Sequence, residues 1–179
     1  NYDVTKGVFA PWLIHKEDYW AVGGHDETLN SHSEDRDLFN RFLLNGFDFI
    51  QPWNALVYHL TCRGHRWTEK VQKDDDFYKE CVRIKSREFL RKWGNRIRND
   101  EYSYPIIKNK YNIGFVVKKS NLQTLSALEP WCSTFYTDFP NIDSYRSNNQ
   151  KYTHFNLTDR IKPINSKKNN SRPNNWWRL

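Results

Sequence analysis

Five carboxylates, Asp26, Glu27, Glu34, Asp35 and Asp37, fall within twelve positions of one another, and the pair Gly23-Gly24 stands just before them. Carboxylates gathered in this way suit proton transfer. An ionised carboxylate held close to a hydroxyl can take its proton as the oxygen attacks an electrophile. Two consecutive glycines suit a backbone that turns sharply or lets a ligand approach it closely. Downstream, His59 ends a strand-like run, and Arg63 lies in a loop-like stretch from Thr61 to Trp67.

The elements that must position these residues can be read from the pattern. Ile14 to Val22 reads as a short helix or turn that stops at the glycine pair. A helix follows with Ser33 as N-cap, or with Ser31-x-x-Glu34 as a capping box, and Gly46 as its left-handed stop. Asp35, Leu38, Phe39 and Phe42 stand at i, i+3, i+4 and i+7, so the spacing turns Asp35 toward the apolar face and the protein body. Asp35 also lies in the first helical turn, where free N–H groups favour an anion. Asp37 and Arg41, at i and i+4 on the other side, read as a solvated surface pair. Strand-like runs cover Phe47–Ile50 and Ala55–His59. A long helix is expected over 74–93 with an apolar stripe of Tyr78, Cys81, Val82, Phe89 and Trp93. Its acidic start, Asp74-Asp75-Asp76, reads as compensation of the helix dipole. Asn112–Val117, Asn121–Leu128 and Ser133–Thr137 then form a strand–helix–strand unit.

The order G-G-H-D-E, E-D-x-D-L-x-x-R, a helix-ending glycine and a strand ending in histidine resembles the acceptor half of GT-A glycosyltransferases. It is most similar to glycosyltransferase family 2 and the polypeptide N-acetylgalactosaminyltransferases. The resemblance covers residues 10–67 and implies an α/β fold, the C-terminal part of a GT-A nucleotide-diphospho-sugar transferase. It implies an inverting, metal-dependent transfer of a sugar from a nucleotide-diphospho-sugar to a glycan or protein acceptor. Asp35 matches the base that deprotonates the acceptor hydroxyl, and Glu34 its partner. Gly23, Gly24, Asp26 and Glu27 match the turn lining the sugar site. His59 matches a ligand of a divalent metal, Mn2+ or Mg2+, and Arg63 is placed to touch the diphosphate. His25 replaces the usual Phe, which allows an added polar contact. No Q-x-x-R-W is present, which argues against a processive synthase.

The 179 residues include 29 aromatic ones, enough to build a core, and no apolar run long enough for a transmembrane segment. The net charge of +7 is unevenly held: residues 1–94 sum to −1 and residues 95–179 to +8. Fourteen of nineteen asparagines also follow position 94. The expected organisation is therefore an acceptor-side half over 1–94, a small basic α/β region over 95–162 and a disordered tail over 163–179. The chain contains no methionine and starts at Asn1, so a donor-binding half, with its Asp-x-Asp, is expected upstream and the isolated chain is expected to be inactive. The three cysteines, Cys62, Cys81 and Cys132, are widely spaced and odd in number, which points to a reducing compartment, the cytoplasm. Two other readings compete. A non-catalytic carbohydrate-binding or degenerate transferase domain would keep the same cleft. A basic nucleic-acid-binding protein would need a contiguous positive face on 95–179, but no nucleic-acid motif is present, so no specific nucleic acid is expected as a partner.

Overall fold

The computed structural model describes residues 2–4, 12–29, 32–52, 54–55, 58, 75–100, 105–106, 110, 112–164 and 176–178. The mixed helix and strand content is that of an α/β protein. The described chain divides into two units, Asn1–Ser86 with Ile97–Ile107 and Arg87–Arg96 with Lys108–Leu179.

In the first unit, β1 (Tyr2–Val4) pairs antiparallel with β2 (Ile50–Pro52). Between them lie α1 (Lys16–Ala21), a 3-10 turn (Glu27–Leu29) and α2 (Glu34–Leu44). Both helices stop in the same way. Gly23 at φ 90° donates to the Trp20 carbonyl and Gly24 to that of Tyr19. Gly46 at φ 79° donates to Leu43 and Phe47 to Phe42. These paired bonds satisfy the last helical carbonyls, and the left-handed residue that makes them possible is glycine in each case. The Phe42 and Phe47 rings meet edge-on at 5.2 Å, the apolar contact that commonly accompanies this ending. Val22, Leu38 and Phe42 form the small core, with Trp12, Ile14, Tyr19, Phe47 and Phe49 packed around it. Phe47 and Phe49, expected in a strand, lie in irregular chain ahead of β2.

The long helix is α3 (Asp75–Trp93), and Gly94 at φ 74° ends it. Its last turns, from Arg87, belong to the second unit, so the division falls inside the helix, ahead of the change in charge at residue 94. A two-stranded piece follows, β3 (Arg98–Asn99) antiparallel to β4 (Pro105–Ile106), in the first unit.

The second unit is built on a parallel sheet. Its strands are β5 (Gly114–Val117), β6 (Thr134–Thr137), β7 (Ile161–Pro163) and β8 (Trp176–Arg178), in the order β7-β6-β5-β8. The expected strand–helix–strand unit is present, with α4 (Leu122–Leu128) joining β5 to β6. Asn121 caps α4 through its side chain, which accepts from the N–H of Thr124. Two polar helices missed in the sequence, α5 (Ile142–Gln150) and α6 (Leu157–Arg160), lead to β7. The tail expected to be disordered supplies β8, which pairs with β5. The core is Val117, Leu125, Cys132, Phe135, Ile142, Tyr145, Leu157 and Ile161. Asp138, just past β6, closes the turn after β5 by accepting from the N–H groups of Lys119 and Ser120.

Cys81 and Cys132 are free thiols, and Cys62 lies outside the described residues. Burial, reinforced by the nearby Glu129 carboxylate, pushes the Cys132 thiol up to about 12. A thiol so rarely ionised is a poor nucleophile. In Ellman titration at pH 8 the folded protein should leave Cys132 unmodified, and urea should expose it. Rapid labelling of Cys132 in the folded state would contradict this packing.

Candidate functional site

The Gly23-Gly24 turn and the start of α2 are tied together by one side chain. Arg41, half-buried on α2, donates to the backbone carbonyls of Val22 and Gly24. Its other contact is Asp37, whose Oδ2 lies 3.0 Å from Nε and 2.8 Å from Nη2. Asp37 is fully buried. This overturns the reading of Asp37 and Arg41 as a solvated pair. A guanidinium carries donors in a fixed fork, so it can hold a carboxylate and two carbonyls at once, which an ammonium does less well.

Asp35 is also placed differently from expectation: it is exposed, and Glu34 beside it is half-buried. The helical phase of Asp35 does match Leu38 and Phe42, which are buried. But Asp35 lies in the first turn, beyond the end of the small core, so phase alone does not bury it. The opposite side of α2 is covered instead, because the glycine turn closes over Asp37 through Arg41. Ser33 occupies the N-cap position at φ 68° without a side-chain cap bond, so the expected cap is absent. Glu34 and Asp35 remain in the first turn of α2, at the end where the helix N–H groups are unpaired by the helix itself.

The rest of the turn is polar. The Tyr19 hydroxyl accepts from the His25 N–H at 2.9 Å and lies 3.0 Å from His25 Nδ1. The His25 side chain thus makes the polar contact foreseen for it. Asp26 Oδ1 accepts from the N–H and the hydroxyl of Thr28, and Glu27 is exposed at the start of the 3-10 turn. Lys85 of α3 donates to the Thr28 carbonyl at 2.8 Å. Asp75 opens α3, and exposed Asp76 lies 3.9 Å from Lys79, in keeping with a helix-start role for this acidic run.

Gly24 is the tight point. A Cβ there would lie 3.1 Å from Trp20 Cζ3 and 3.2 Å from Tyr19 Cε1, at φ 64°. Gly24→Ala should therefore destabilise the first unit by about 1–2 kcal/mol from the backbone conformation alone, read as a lowered urea midpoint. An unchanged midpoint would mean the turn is free to move away from the two rings.

His59 and Arg63 lie outside the described residues. Among the described residues, no group of three or more His, Cys, Asp or Glu side chains could hold a metal ion. Nor, among them, is any helix long and apolar enough to cross a membrane. Among the described residues of the second unit, Arg146 and Arg160 are engaged in ion pairs with Asp143 and Glu129. No protein-family model matches the chain, and neither does any curated protein or solved structure.

Proposed function

We propose that residues 1–94 form the acceptor side of an inverting GT-A-type glycosyltransferase, with Asp35 as general base. The observation that carries this reading is Arg41. It belongs to the E-D-x-D-L-x-x-R run and grips the carbonyls of Val22 and Gly24 in the G-G-H-D-E run. Two stretches that would otherwise be independent are thereby held as one piece, with Glu34 and Asp35 at its open end. The exposure of Asp35 suits contact with an acceptor that arrives from solvent.

In this reading the acceptor hydroxyl gives its proton to Asp35 while its oxygen attacks the anomeric carbon. The bond to the nucleoside diphosphate breaks, the diphosphate leaves with the bonding pair, and configuration inverts. Glu34, one residue earlier, orients the incoming sugar. The divalent metal implied by the resemblance would rest in part on His59. The described residues do not supply such a site, so no step is assigned to it.

The test is transfer by the full-length protein from a panel of nucleotide sugars, read as glycosylated product. Product formed with inversion supports the reading. Saccharide binding without any transfer would favour a degenerate, carbohydrate-binding domain, and binding of RNA or DNA in place of saccharide would favour the basic second half as the functional part.

A further inference from the structure

Trp20 is 62% exposed, yet its ring is fixed in place. One part lies against Gly24, where a Cβ would come within 3.1–3.3 Å of Cζ3 and Cε3. Tyr19 meets it edge-on, with ring centroids 4.9 Å apart. Tyr19 is itself held by its hydroxyl contacts to His25. A large exposed aromatic ring normally moves among rotamers, and leaving it in water forgoes the gain of burial. Here the ring is held and still presents surface to solvent. The chain leaving Gly24 carries exposed His25, half-buried Asp26 and exposed Glu27. A flat apolar surface, followed in the chain by an imidazole and carboxylates, matches a pyranose, whose axial C–H groups form an apolar face ringed by hydroxyls.

We propose that Trp20 is a stacking platform for a pyranose ring of the acceptor, whose hydroxyls are met by His25 and Glu27. This deepens the transferase reading and rests on it for the word acceptor; the saccharide site itself does not need transfer to occur. A platform already fixed by Gly24 and Tyr19 loses little side-chain freedom when the sugar arrives.

The test is saturation-transfer NMR with the methyl β-glycopyranosides of glucose, galactose and N-acetylglucosamine. Saturation should reach the axial ring protons of at least one of them. Trp20→Leu keeps an apolar cover on Gly24 but removes the flat face, and should weaken binding about tenfold. Trp20→Phe should restore most of it. Absence of transfer to every glycoside, or equal binding by Trp20→Leu and the unsubstituted protein, overturns the platform. Near-ultraviolet circular dichroism of each variant reports whether the turn is intact. Glycoside binding that depends on Trp20, in a protein that moves no sugar, would remove the transferase reading and leave the platform standing. Sugar transfer unaffected by Trp20→Leu would do the reverse.

Discussion

Replacing Glu129 with glutamine should cost the second unit about 3–5 kcal/mol of stability. Glu129 is fully buried on the turn after α4 and accepts from three arginines. Arg91 Nη2 lies 2.6 Å from Oε2, Arg160 Nε 2.9 Å from Oε1 and Arg87 Nη2 3.3 Å from Oε2. Glu88 adds a second carboxylate, 3.2 Å from Arg91. All five side chains are buried, so three positive charges depend on two negative ones in a place where water cannot help. A glutamine keeps the shape and loses the charge, leaving Glu88 as the one carboxylate facing three desolvated guanidinium groups. With a urea dependence of about 2 kcal/mol per molar, the midpoint should fall by about 2 M.

The same carboxylate sets a pH dependence. Burial by itself would push Glu129 up, but the hydrogen bonds and charge of Arg91, and then Arg160, outweigh it and hold the group below its ordinary 4.5. A lowered folded value means stability that is present above pH 4.5 and is lost as the pH falls through the folded value. The stability gap between the native protein and Glu129→Gln should therefore narrow only in acid. Equal midpoints at pH 7 would show that the network contributes nothing net.

On the transferase proposal, Asp35→Asn should lower the rate of sugar transfer by about 100- to 10,000-fold. Asparagine can still accept a hydrogen bond from the acceptor but cannot take its proton. Because Asp35 is exposed, stability should hardly change. Asp37→Asn supplies the contrast. Its carboxylate is buried against Arg41, so its loss should appear first in the unfolding midpoint. A rate within threefold of the native one in Asp35→Asn would falsify the assignment of the base.

Local signals were legible where a residue's own chemistry decided the outcome. Gly23-Gly24 and Gly46 marked two helix ends because only a left-handed position asks for glycine there. The unit from β5 to β6 could be read because short apolar runs flank a helix with an asparagine cap. What could not be read depends on partners far away in sequence. Arg87, Glu88 and Arg91 look like a solvated stretch of α3 until Glu129 and Arg160 are brought to them. Asp37 looks solvated for the same reason, since its cover comes from the glycine turn. The helices α5 and α6 carry few apolar residues, with Ile142, Tyr145 and Leu157 alone supplying their buried apolar side chains. Of the proposed site, the residue types and their order were legible, but which carboxylate is buried was not.

The strand order β7-β6-β5-β8 has a consequence for folding. The first strand of this sheet to be synthesised is an inner one, and its two neighbours are made at different times. β6 follows after a single helix, whereas β8 is the last of the four in sequence. Until β8 docks, β5 presents unpaired N–H and C=O groups along Gly114, Phe115 and Val116, the kind of open edge on which chains aggregate. Docking of β8 is also the most non-local pairing in the unit, and such contacts form slowly. The risk of misassociation during synthesis is therefore concentrated in the interval between β6 and β8.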